Sequence, residues 1–135
     1  MPKEIIQIEI TESVSDMDQV ILRNIANSLR SMGFVLAMDD FGTKYSIIAT
    51  LVQFQFRVAK IERSLVKDIA KNPKSFIVLK HLTAMINEIG LECVIEGAED
   101  QEQIDLLKEL ECDIIQGYYY SKPIPKEQFF MKFLD

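Results

Sequence analysis

The chain has 135 residues, 48% hydrophobic and 27% charged, a composition that suits one globular domain with a buried core. Its net charge of −6 argues against a nucleic-acid polymer as partner, because phosphate-tracking surfaces need clustered Lys and Arg, but a small phosphodiester held through bound cations stays open. Cys93 and Cys112 lack zinc or CxxC spacing and are expected as reduced thiols of a cytoplasmic protein; no apolar run reaches the ~18 residues of a membrane span, and nothing at the start resembles a signal peptide.

The first strand is predicted over residues 5–10, where Ile6, Ile8 and Ile10 share one face. Ser13 is then expected to cap a helix whose buried stripe is Val14, Met17, Ile21, Ile25 and Leu29, closed by Gly33. Residues 34–39 and 56–61 read as the second and third strands, with a helix over 45–52 between them. Asn72-Pro73 opens a long helix; Phe76, Leu79, Leu82, Met85, Ile86 and Ile89 form its apolar face and Gly90 follows it. Residues 91–96 give a fourth strand. Asp100 caps a helix burying Ile104, Leu107 and Leu110. A short fifth strand covers 113–116, and a last helix after Pro125 carries Phe129, Phe130 and Phe133. Strands alternating with helices imply parallel βαβ units, in either a doubly wound sheet or part of a barrel. The absence of a GxGxxG or GxxxxGK[ST] loop weighs against a nucleotide-binding doubly wound sheet.

Each predicted strand has a functional side chain at or beside its C-terminal end: Glu9, the pair Asp39-Asp40, Lys60, Glu96 and Gln116. In a (β/α)8 barrel that end carries the active site. Strand parity agrees. With Glu9 inward, Ile6, Ile8 and Ile10 face the helices. With Asp39 inward, Val35 and Ala37 turn inward and Phe34, Leu36 and Met38 outward, while Lys60 shares its face with Val58 and Phe56. Four converging carboxylates, Glu9, Asp39, Asp40 and Glu96, would repel one another unless a hard divalent cation joined them, and two such ions suit hydrolysis of a phosphodiester. Lys60 is placed to orient water or stabilise phosphate charge, and Gln116 to hydrogen-bond a ligand. Taken singly these residues have plainer readings: a turn for Asp39 to Gly42, a loop for Glu96-Gly97, a solvated Lys60, helix-start electrostatics for Glu12. His81 falls in mid-helix, and Tyr118 to Tyr120 reads as packing.

Five segments carry a family resemblance. Ile8 to Ser13 (IEITES), Ala37 to Ser46 (AMDDFGTKYS), Lys60 to Ser64 (KIERS), Val94 to Glu99 (VIEGAE) and Gln116 to Pro123 (QGYYYSKP) resemble, in order and spacing, the LEITES, ALDDFGTGYS, KIDRS, VAEGVE and QGYYFSKP motifs of the EAL family. The resemblance implies a TIM-like barrel that hydrolyses cyclic di-GMP to pGpG with two Mg²⁺ or Mn²⁺ ions. It implies Glu9, Asp39, Asp40 and Glu96 as metal ligands. Lys60, Glu96 and Gln116 are implied as catalytic residues, and Glu12, Thr43 and Glu99 as supporting ones. The Glu-Ala-Leu motif and the following asparagine strand are absent, so residues 1–135 are expected to be the C-terminal portion of an EAL domain: an incomplete barrel of about five strands, weak or inactive alone. The expected partners are cyclic di-GMP and either a second copy or the missing N-terminal barrel half. A non-catalytic cyclic di-GMP receptor and an interaction or dimerisation module are the alternatives. Lys44, Arg57 and Glu62 stand where the family has glycine and two aspartates.

Overall fold

The computed structural model describes residues 2–11, 18–42 and 47–134. Five strands, β1 (Gln7–Ile10), β2 (Val35–Phe41), β3 (Val58–Ile61), β4 (Glu92–Glu96) and β5 (Ile114–Gln116), form one sheet in the order β1-β2-β3-β4-β5. Every pairing is parallel. A sheet that adds strands in chain order without reversing is an arc of a barrel; a doubly wound sheet changes direction at a switch point. The helices are α1 (Gln19–Ser31), α2 (Ile47–Gln53), α3 (Ser64–Lys67), α4 (Pro73–Glu88), α5 (Gln101–Leu107) and α6 (Lys126–Phe133). Among the described residues, no helix is long and apolar enough to cross a membrane.

Local chemistry accounts for the helix starts. Asp18 accepts from the Val20 amide at the head of α1, and Asn72 does the same for Lys74 ahead of Pro73. Asp100 and Gln103 form a reciprocal capping box on α5, which satisfies two amides that no helical carbonyl can reach. The predicted Ser13 cap lies outside the described residues, as do Val14 and Met17.

The sheet separates two apolar clusters. The larger lies under the helices and contains Ile10, Leu36, Met38, Phe41, Ala59, Ile61 and Ile95 together with Leu79, Ile86, Ile104 and Leu107. The smaller contains Ala37, Val58 and Val94, with Val35 against it, on the opposite face. Strand parity therefore holds for Ile8, Ile10, Leu36, Met38, Val35, Ala37 and Val58. It fails for Phe56, which joins the larger cluster. Phe56 precedes the first paired residue of its strand, where alternation is not enforced.

Three further expectations are corrected. On α1 the buried residues are Leu22 and Ala26, while Ile21 and Ile25 are exposed. The sequence offers two overlapping i, i+4 sets; the one containing the small Ala26 lets the helix approach the sheet. Ile89, the C-cap of α4, is exposed, as is the whole Tyr118 to Tyr120 run. The helix α6 forms as predicted, and none of its residues is buried.

Candidate functional site

The strand ends converge. β2 shifts register between Met38 and Phe41, and Asp40 adopts the left-handed region at φ 58°, which aspartate tolerates better than most residues. On β3, Lys60 is the only charged side chain among four buried residues. Its ammonium donates to Glu9 Oε1 at 2.6 Å and lies 2.7 Å from Glu96 Oε1 and 3.7 Å from Asp39 Oδ1. Carboxylates from β1, β2 and β4 thus surround one cation from β3.

Burial by itself would lower the Lys60 pKa. Its hydrogen bonds to Glu9 and Glu96, with the added charges of Glu96 and Asp39, outweigh that and hold it well above its ordinary value. The third carboxylate receives charge but no hydrogen bond: Asp39 Oδ1 is buried and accepts none. A buried carboxylate oxygen in that state suits a hard cation, and Glu9 and Glu96, which meet the same ammonium, also offer oxygen donors. The residues therefore fit Mg²⁺, Mn²⁺ or Ca²⁺ in kind. As the side chains stand, no three His, Cys, Asp or Glu among the described residues are grouped to hold an ion, because Glu9 and Glu96 are turned onto Lys60.

Next to this cluster opens a cleft of about 740 Å³. Asp40, Glu96 and Gln116 line it together with Glu62, Arg63, Glu99 and Lys122, and Phe129 and Phe133 of α6 close one side. Glu9, Asp39 and Lys60 stand beside the cleft and do not line it, so Glu96 links the two. Two glycines allow close approach at the strand ends, Gly97 of the β4 end to Arg63 just past β3, and Gly117 of the β5 end to Ala98 just past β4. A Cβ on Gly97, at φ 87°, would lie 2.2 Å from Arg63 Cβ, and one on Gly117 would lie 2.0 Å from the Ala98 carbonyl oxygen. The Gly97 amide donates to the Gln116 carbonyl at 2.8 Å.

Of the remaining predicted residues, Glu99 lines the cleft and its amide donates to Gln103 Oε1 at 2.7 Å. Glu12, Thr43 and Lys44 lie outside the described residues. Glu62 accepts from the Ser64 amide at 2.8 Å and so helps start α3. Arg57 precedes β3 at the opposite end of the sheet, lining a separate hollow with Arg30. His81 is exposed on α4. Sequence reasoning assigned no role to Arg63 or Lys122, the two cations that line the cleft among the described residues. Their positions just past β3 and β5 were the available signal.

Residues 1–123 match the family model described as EAL domain. The cyclic di-GMP phosphodiesterase RocR of Pseudomonas aeruginosa is 37% identical over 130 residues, 96% of this chain and 33% of that protein. The crystal structure of the EAL domain of Mycobacterium smegmatis DcpA superposes with a TM-score of 0.90 at 32% identity, covering 97% of this chain and 59% of that one. The manganese and cyclic di-GMP complex of Klebsiella pneumoniae BlrP1 superposes at 0.84 with 28% identity, over 91% of this chain and 31% of that one. The chain spans 16% of YkoW from Bacillus subtilis and 33% of RocR, well under two thirds of either relative. The five parallel strands and their helices match these barrel structures over part of their length.

Proposed function

This chain belongs to the EAL family, and from that premise we propose that residues 1–135 are the C-terminal portion of a barrel that hydrolyses cyclic di-GMP to pGpG. The observation that carries the reading is the convergence of Glu9, Asp39 and Glu96 on Lys60, with Asp39 Oδ1 left without a hydrogen bond. Glu9, Asp39, Asp40 and Glu96 are the residues that would hold Mg²⁺ or Mn²⁺. Such ions, when bound, supply an activated water and neutralise charge on the phosphodiester. Lys60, fixed by two carboxylates, offers its remaining N–H to an attacking water or a phosphate oxygen. Gln116 hydrogen-bonds ligand from the β5 end, and Arg63 and Lys122 offset phosphate charge in the cleft. Glu12, Thr43 and Glu99 support the loops around them.

Among the described residues, five strands of the eight that close such a barrel leave one side of the mouth open, so the chain alone is expected to turn over cyclic di-GMP far more slowly than a complete family member. A non-catalytic cyclic di-GMP receptor is the second reading, supported by the open cleft with its two cations. Calorimetric titration of cyclic di-GMP with Mn²⁺ present, followed by assay for pGpG, separates the readings. Slow pGpG formation abolished by Asp39→Asn supports the first, binding without pGpG supports the second, and rates equal to RocR would refute the incomplete-site argument.

A further inference from the structure

At the end of the sheet away from the mouth, a hollow of about 540 Å³ opens between α1 and the starts of β2 and β3. It holds two of the chain's four arginines, Arg30 and Arg57, with Asn27 and Gln55 beside them and Phe34 and Val35 as an apolar wall. Among the described residues no carboxylate lines it, although the chain carries 21 acidic residues against 15 basic ones. Neither guanidinium joins an ion pair among the described residues, where every such pair belongs to Lys60. The backbone holds both arginines in place. The Arg57 amide donates to the Leu36 carbonyl at 3.0 Å and its carbonyl accepts from the Glu92 amide at 2.9 Å, which ties it to β2 and β4 together. The Arg30 carbonyl accepts from the Gly33 amide at 2.9 Å in the turn that closes α1.

Two guanidiniums on one hollow repel each other, and each presents a planar fork of N–H donors. A dianionic oxyanion answers both conditions: it cancels the repulsion and takes paired hydrogen bonds from each fork. The hollow has the size of a small-molecule site, more than a lone phosphate ion fills, and Phe34 and Val35 give it an apolar side. We propose that it is a second ligand site, separate from the mouth, and that it takes a phosphate monoester. The phosphate group sits between Arg30 and Arg57, Asn27 and Gln55 hydrogen-bond its remaining oxygens, and the organic part lies against Phe34. The site needs neither a metal ion nor any residue of the mouth, so it stands apart from the phosphodiesterase reading.

The test titrates phenyl phosphate into the isotope-labelled chain, with EDTA present and ionic strength held constant, and follows the backbone amides by NMR. Saturable shifts are expected over residues 27–36 and 55–57, which frame the hollow. Inorganic phosphate should move the same amides with weaker affinity. Arg30→Gln/Arg57→Gln should weaken phenyl phosphate binding by about tenfold or more, with far-UV circular dichroism unchanged because both side chains are exposed. Shifts centred on Arg63 and Lys122 would place the anion in the cleft and overturn the proposal. So would equal affinity in the double variant, tighter binding of inorganic phosphate, or the same response to sodium chloride, which would reduce the effect to screening.

Discussion

Replacing Lys60 with methionine keeps the length of the side chain and removes its charge. The Lys60 side chain is 10% exposed and holds Glu9 and Glu96 at 2.6 and 2.7 Å. Breaking a buried ion pair by deleting one partner costs ~3–5 kcal/mol, because the other charge is left uncompensated. Glu9, at 45% exposure, recovers hydration and pulls the expected loss to about 2–3 kcal/mol. At this chain length that corresponds to a fall in Tm of roughly 10 °C. Urea unfolding followed by circular dichroism should show a lower midpoint with an unchanged slope. The pH dependence carries a sign. Because the folded Lys60 pKa is raised, its contribution is fully present below the unfolded value of about 10.5 and is lost as pH climbs through the folded value. The gap between wild type and Lys60→Met should therefore stay level from pH 7 to 10 and close only beyond that. An equally stable variant, or a gap that closes near neutrality, would refute the argument that this ammonium organises the carboxylates.

Two other outcomes follow from packing. Gly117→Ala places a methyl 2.0 Å from the Ala98 carbonyl oxygen and 2.5 Å from its amide nitrogen, and backbone cannot swing aside as a side chain does; a loss of about 2–3 kcal/mol in urea unfolding is expected, and a neutral effect would mean that the β4 and β5 ends are not pressed together. Burial, reinforced by Cys112 and Asp113, pushes the Cys93 thiol up to about 12, and burial with Asp113 raises Cys112 as well. Native protein at pH 8 should therefore react slowly with iodoacetamide, half-buried Cys112 first and Cys93 only on unfolding; modification of Cys93 at a free-thiol rate, read by mass spectrometry, would contradict its burial.

The strands and their inward faces were legible because period-two alternation is strict wherever a strand is paired. Val35, Ala37 and Val58 needed no more than that rule. It misplaced Phe56 because that residue stands outside the ladder, where nothing enforces the alternation. The convergence of Glu9, Asp39, Lys60 and Glu96 was also readable, since parallel strands in sequential order bring their C-terminal ends to one mouth. What could not be read was that Glu9 and Glu96 turn onto Lys60: local sequence carries no information about a rotamer chosen by charges 51 and 36 residues apart in the chain. The face of α1 was misjudged for a simpler reason. Ala26 counts for little in hydrophobicity, yet its small size decides how closely the helix lies on the sheet.

The irregular pairing near the end of β2 changes the phase of that strand. Met38 and Phe41 both lie in the helix-side core, three positions apart, where a regular pleat would keep such residues on opposite faces. The extra residue absorbs half a pleat, so that two successive aspartates serve one side of the sheet: Asp39 beside Lys60 and Asp40 on the cleft. This stretch of chain should accordingly be sensitive to length in a way it is not to identity. Shortened by one residue, the strand would become regular, and one of the two acids would be driven into the oil beneath the helices.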